Sequence, residues 1–133
     1  MLDAKDGEVD AIAERWKIEA VLALIRQVVP DRLLVAGLEK RQSKTFRFVQ
    51  RLGYGKSEIY AAIVGLTVED YSLGPLPDEK GRPHDLWVFG TYLEQYETYV
   101  KLVAFVSREG VEVVCVSFHE AERPLFYPYR KAS

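Results

Sequence analysis

The chain has a single cysteine, Cys115, so no intrachain disulfide can form and stability must come from a packed core. Its two histidines, His84 and His119, lie far apart, and with one cysteine they offer no zinc-ligand cluster. No apolar run approaches the ~20 residues of a membrane-spanning helix. The opening residues, Met1-Leu2-Asp3-Ala4-Lys5-Asp6, lack the basic-then-apolar order of a secretory leader. No metal, no cofactor and no membrane contact are therefore expected, and the cytoplasm is the expected location. Excess charge is also scarce. A net charge of -2 and a pI near 5.7 argue against nucleic-acid binding by the whole surface.

A local basic patch is still present. The acid excess falls in residues 1–35, and Lys40, Arg41, Lys44, Arg47, Arg51 and Lys56 form a run with no acid between them. With 133 residues, 48% apolar and 29% charged, the chain fits one globular domain with a real core. The expected layout over 1–133 is a flexible stretch at 1–10, a mainly helical part at 11–71, a loop at 72–85, an antiparallel sheet at 86–119 and an extended tail at 120–133.

Ile18, Val21, Leu22, Ile25, Val28 and Val29 recur at helical spacing on one apolar face, and Pro30-Asp31 stops that helix. Leu33–Ala36 reads as a short strand or a buried linker. A second helix starts with Ser43 as its N-cap and ends at Gly53, with Phe46, Val49 and Leu52 inward. Lys40, Lys44, Arg47 and Arg51 then form one stripe opposite that face. A third helix runs from Ser57, as its cap, to Val64, with Ile59, Ala62 and Ile63 inward. Thr67–Asp70 reads as one more turn.

Three prolines and two glycines in residues 72–85 predict a loop, a length that is often functional inside a small domain. Beyond it the period falls to 2, giving strands at Leu86–Tyr92, Thr98–Val106 and Val111–Phe118. The last two form a hairpin, with Arg108-Glu109-Gly110 as a three-residue turn and Gly110 as its left-handed residue. That turn pairs Ser107 with Val111, Phe105 with Val113, Val103 with Cys115, Lys101 with Ser117 and Tyr99 with His119. It places Val100, Leu102, Ala104 and Val106 with Val114, Val116 and Phe118 against the helices, and a turn pairing Val106 with Val111 is rejected because it would mix Phe118 with Tyr99 and Lys101 on one side. A phenol, an ammonium, a hydroxyl and an imidazole then share the other face, since directly opposed Cβ atoms lie ~5 Å apart. Cys115 is expected to be a small packed residue.

This set suits RNA cleavage without a metal. The ribose 2′-hydroxyl attacks phosphorus, which needs a base, an acid and cations for the growing phosphoryl charge. His119 fits acid or base work, Tyr99 is its partner, and Lys101 stabilises charge. Arg123 and Arg82 are candidate phosphate ligands, and Lys44, Arg47 and Arg51 offer backbone contacts. The bland alternative for His119 is a hydrogen-bonded structural histidine. For the basic stripe it is a solvated helix face. Trp87 reads as core. Tyr92 and Tyr96 would stack on bases or cover a sheet edge.

Ala62–Tyr71, with Gly65-Leu66-Thr67 before Asp70-Tyr71, is similar to an Ile-Gly-Leu-Ser-x-x-Asp-Phe segment. Trp87 follows the loop, Thr98–Leu102 matches a Tyr-Leu-Lys-Ile strand, and Val114–Phe118 matches a final Ile-Val-Ser-Phe strand. In this order and spacing, over about residues 57–120, the chain resembles the MqsR family, the ribonuclease toxins of bacterial toxin–antitoxin pairs within the wider RelE-like fold. The resemblance implies an α+β fold, N-terminal helices on a small antiparallel sheet, and an mRNA-cleaving toxin neutralised by a separate antitoxin. It carries the family's strand tyrosine onto Tyr99 and the lysine after Ser-Phe onto His119. The lysine after Asp-Phe falls on Leu73, and the glutamine after the tryptophan falls on Val88. The expected partners are mRNA and a cognate antitoxin, with a homodimer left open. The alternative is a non-catalytic binding module that engages a protein partner or RNA.

Overall fold

A computed structural model describes residues 12–131; the expected flexible stretch at 1–10 lies outside the described residues. Among the described residues, three α-helices pack on one face of a five-stranded sheet of order β1-β5-β4-β3-β2.

Helix α1 (Arg15–Ile25) buries Ile18, Leu22 and Ile25, the i, i+4 and i+7 positions of the expected stripe. Val28 is buried beyond it, but the helix has already ended, so Val29 points outward at 54% exposure. Helix α2 (Lys44–Leu52) has both expected ends. The Ser43 hydroxyl accepts the Phe46 N–H at 2.9 Å, and Gly53 closes the helix at φ 71°. Its buried side chains are Thr45, Phe48 and Val49, not the expected Phe46 and Leu52, which are only half-buried. Positions 45, 48, 49 and 52 form the true inward row. Helix α3 (Lys56–Val64) starts one residue earlier than expected. Gly55 is its N-cap, and the Glu58 carboxylate accepts the Gly55 N–H at 2.7 Å, so Ser57 is not the cap. Val68–Asp70 makes the extra turn, as a 3-10 helix.

Two strands correct the expected layout. Strand β1 (Leu33–Val35) runs parallel to β5 (Gly110–Glu120), pairing Leu33 with Val113 and Val35 with Cys115, so the sheet is mixed and not purely antiparallel. Strand β2 (Tyr71–Leu76) occupies the first part of the expected loop and pairs with β3 (Leu86–Leu93) through an irregular ladder. Its glycine and proline are tolerated because β2 is an edge strand whose outer side is bridged, among the described residues, at Gly74 by Ile12.

The hairpin of β4 (Tyr96–Ser107) and β5 departs from the expected turn. Ser107 pairs with Gly110 and Val106 with Val111, the pairing rejected above, so the turn is one residue tighter and Val106 lies beyond the helices at 68% exposure. The missing residue reappears as a bulge. Leu102 pairs with Cys115 but Lys101 with Ser117, which leaves Val116 as the extra residue. Between turn and bulge every side chain on β5 is therefore reversed. Val113 and Cys115, both fully buried, face the helices in place of Val114 and Val116. The physical reason is Glu112. The wider turn would put it on the opposite face across from Val106, away from Arg32 and Ser107. The tighter turn instead lets Glu112 take Arg32 at 3.2 Å and the Ser107 hydroxyl at 2.7 Å. Beyond the bulge the register is as expected, with Tyr99 opposite His119.

Phe118 and Val100 point inward there, and Phe118 packs on Phe48 with ring centroids 6.3 Å apart. Burial pushes the Cys115 thiol up to about 12, which keeps it protonated and inert.

Candidate functional site

The helix-free face of the sheet carries the chemistry. Strict alternation along β4 puts Tyr99 and Lys101 on that face while Thr98, Val100 and Leu102 are buried. On β5, Ser117 and His119 project from the same face on either side of buried Phe118. The Tyr99 and His119 rings stack with centroids 5.4 Å apart and planes 21° from parallel. With Lys44 and Arg123 they line a cleft of about 450 Å³.

Each polar group has a definable state. His119 Nδ1 lies 3.0 Å from the Glu120 carbonyl oxygen. A carbonyl can only accept, so Nδ1 carries the proton and a neutral ring keeps its lone pair on Nε2. Burial, and next the negative charge of Glu122, push the Tyr99 phenol above its ordinary range, so it stays protonated at neutral pH. Among the described residues, the Tyr99 hydroxyl, the Lys101 ammonium and the Ser117 hydroxyl donate to no protein group. Nor do any three carboxylates, histidines or cysteines gather as metal ligands among those residues.

The other expected contacts divide. Lys44 is held by Glu122, whose carboxylate is kept below its usual range chiefly by that lysine. Arg51 pairs with Glu120 at 3.1 Å and lies over the Tyr96 ring at 5.3 Å. Arg47 lines a second depression with Lys44, Arg51 and His119, so the basic stripe borders the site where it meets the end of β5. Arg82 is clamped by Asp78 at 2.6 Å and lies beyond Lys101, outside the Tyr99–His119 cleft. Tyr96 packs edge-on against Phe48 and covers the sheet, whereas Tyr92 is exposed. Trp87 meets buried Tyr71 at 6.3 Å, as a residue at the core margin. Leu73 and Val88, where the resembled family has its lysine and glutamine, pair with each other across β2 and β3. Lys101 pairs with Val88 on the next strand.

Three participants escaped sequence reading. Glu122 neutralises Lys44 at the cleft mouth. Glu97 accepts the Tyr127 hydroxyl at 2.6 Å and the Leu125 N–H at 3.3 Å. Gly90 is the floor on which the tail lies: a Cβ there would stand 2.5 Å from Leu125 Cδ1 and in collision with the Tyr127 hydroxyl. A glycine inside a period-2 strand is a signal of close approach, and it was legible at Gly90. Through these contacts the tail crosses the helix-free face and supplies Arg123, Pro124 and Leu125 as one wall of the cleft. Gly90→Val is expected to expel the tail and cost about 1–3 kcal/mol by overpacking. Urea unfolding would read the loss, and trypsin would cut after Arg130 faster than in the parent. An unchanged cutting rate would show that the tail is not held there.

In comparisons with known proteins, no protein-family model, no curated protein and no solved structure matches this chain. Among the described residues no helix is long and apolar enough to cross a membrane.

Proposed function

We propose that the protein is a metal-independent endoribonuclease of the MqsR type, a toxin that cleaves mRNA and is held in check by a cognate antitoxin. The observation that carries this reading is the cleft itself: phenol, imidazole, ammonium and hydroxyl meet on one face, and three of the four heads have no protein partner among the described residues. Such an arrangement leaves those heads available to a ligand.

The roles follow from the states of the groups. His119 Nε2 takes the proton of the 2′-hydroxyl as its oxygen bonds to phosphorus. The bond from phosphorus to the 5′-oxygen breaks, and that oxygen takes a proton from water, to which His119 then returns the proton it holds. The products are a 2′,3′-cyclic phosphate and a 5′-hydroxyl. Tyr99 keeps its proton and donates a hydrogen bond, which suits a developing negative oxygen. Lys101 and Arg123 counter the phosphoryl charge. Purified protein incubated with a defined single-stranded RNA and EDTA is expected to give fragments with those two kinds of end. Intact RNA, or fragments ending in a 3′-hydroxyl, would end the proposal.

A specific observation favours a second reading, a non-catalytic binding module. Lys44 and Arg51 already hold carboxylates, which lowers the charge left for an RNA backbone at the cleft. RNA retained on the protein without cleavage would favour it.

A further inference from the structure

The helix-free face does not end at Lys101. Beyond it the trough continues under the segment 77–85, first between Lys101, Lys80 and Arg82, and then into a groove of about 350 Å³. Val103, Val114 and Val116 line that groove on the sheet side. One side is a pair of rings: His84 lies on Phe105 with centroids 4.4 Å apart and planes 2° from parallel, and His84 is exposed. We infer that this groove is a nucleobase subsite, taking the base of a nucleotide whose phosphates lie along Lys101 and Arg82. The inference rests on the reading of the Tyr99–His119 cleft as an RNA site and names what recognises the strand next to it.

Three observations support a base as the occupant. The first is shape. A flat, exposed ring over an apolar floor is what an unstacked base needs, because its faces are apolar and its edge is polar. The second is charge. Lys101, Lys80 and Arg82 stand along the trough between cleft and groove, where a strand would carry its phosphates, with Glu79 as the one opposing charge besides Asp78 in that lining. Arg82 is braced for this. Its Nε and Nη2 donate to Asp78 at 2.6 and 3.3 Å, while Asp78 also accepts the Lys80 N–H at 2.8 Å. The Asp78 side chain is 5% exposed and that of Arg82 59%, so the carboxylate is spent inside the loop and the guanidinium faces outward. Its Nη1 remains free to donate among the described residues. The third is topology. β4 lies between β3 and β5, and β5 is flanked by β4 and, over Val113–Cys115, by β1, so an extended peptide finds little open backbone to pair with at this groove. From Lys101 to Phe105 along β4 is roughly 13 Å, which separates the base position from the cutting position within one continuous trough.

The bulge gives the groove its floor. Val116 and Ser117 both lie opposite Lys101, so one strand position serves two compartments: Ser117 lines the cleft and Val116 lines the groove.

The test uses the full chain with methyl-labelled valine and NMR. Four 2′-O-methyl hexanucleotides, each enriched in one base, bind without being cut, and an abasic hexamer of the same backbone is the control. At least one base-bearing hexamer is expected to shift the Val103, Val114 and Val116 methyl signals, and the abasic hexamer is not. His84→Ala should weaken that binding about fivefold or more, the size of one lost base–aromatic stack, while leaving the methyl spectrum of the free protein folded. Valine shifts equal to those of the abasic hexamer, absent valine shifts, or unchanged affinity in His84→Ala would each overturn the subsite. Cleavage by the parent chain is scored separately. RNA cut with silent valines sinks the subsite alone. Base-dependent valine shifts without any cutting keep the subsite and sink the ribonuclease.

Discussion

His119→Ala is expected to lower RNA cleavage by about 10² to 10⁴-fold, the range a positioned acid or base supplies, without moving the unfolding temperature. The two expectations belong together. The His119 ring lies in the cleft against Tyr99, while the strand that carries it is anchored from the other face by Phe118. Removing the imidazole therefore empties part of the cleft and leaves the core intact. Tyr99→Phe keeps the ring stack and removes only the hydroxyl, so its loss should be about 10²-fold, as for one donor aimed at developing charge. His119→Lys is more informative still. An amine must lose its proton to act as a base, and lysine's ordinary pKa is ~10.4 against ~6.5 for histidine. The pH profile of residual cleavage should then move upward. Growth after induced expression gives the cellular reading: arrest with the parent and relief with His119→Ala. Equal arrest, or equal growth, in parent and both alanine and phenylalanine variants would remove the catalytic assignment.

Phe118→Ala is expected to cost about 3–5 kcal/mol, the usual price of emptying a large aromatic site. Phe118 is fully buried, its ring meets Phe48 on α2 at 6.3 Å, and its N–H donates to the buried Thr45 hydroxyl at 3.2 Å. One residue thus ties β5 to α2 through both side chain and backbone. The loss is a large share of the ~5–15 kcal/mol that holds a domain folded. A fall in unfolding temperature of about 10–20 °C is expected for a chain of this size. Calorimetry measures it directly. Here activity and stability should fall together, because Ser117 and His119 flank the emptied position. A shift of under about 3 °C would mean that the cavity collapses and that the β5–α2 contact is not the fold's main tie.

Much of this was legible in the residues. The Ser43 cap and the Gly53 stop are local chemistry, satisfied within one helical turn, and both stand as read. The period-2 run in β4 fixes that Tyr99 and Lys101 share a face, whatever the partner strand does. Register was a harder matter. The expected three-residue turn and the observed tighter turn with a bulge at Val116 give the same Tyr99–His119 pair, because one residue has moved from loop to strand. The Tyr99–His119 pairing was thus read correctly through a turn that was not. The intervening segment shows the difference, since Val113 and Cys115 took the inward places assigned to Val114 and Val116.

By itself the sequence determined the α+β class, the inward stripe of α1, the ends of α2 and the face on which the polar heads of β4 stand. These depend on spacing within a few residues, and spacing is what a sequence displays. Only the tertiary structure decided the parallel seat of β1, the edge strand β2, the bulge and the path of the tail. Leu33 pairs with Val113, and the tail reaches back to Gly90 and Glu97. Such choices compare contacts across distant segments, as where Glu112 meets Arg32 at 3.2 Å beside a bulged ladder, and no local pattern records that comparison.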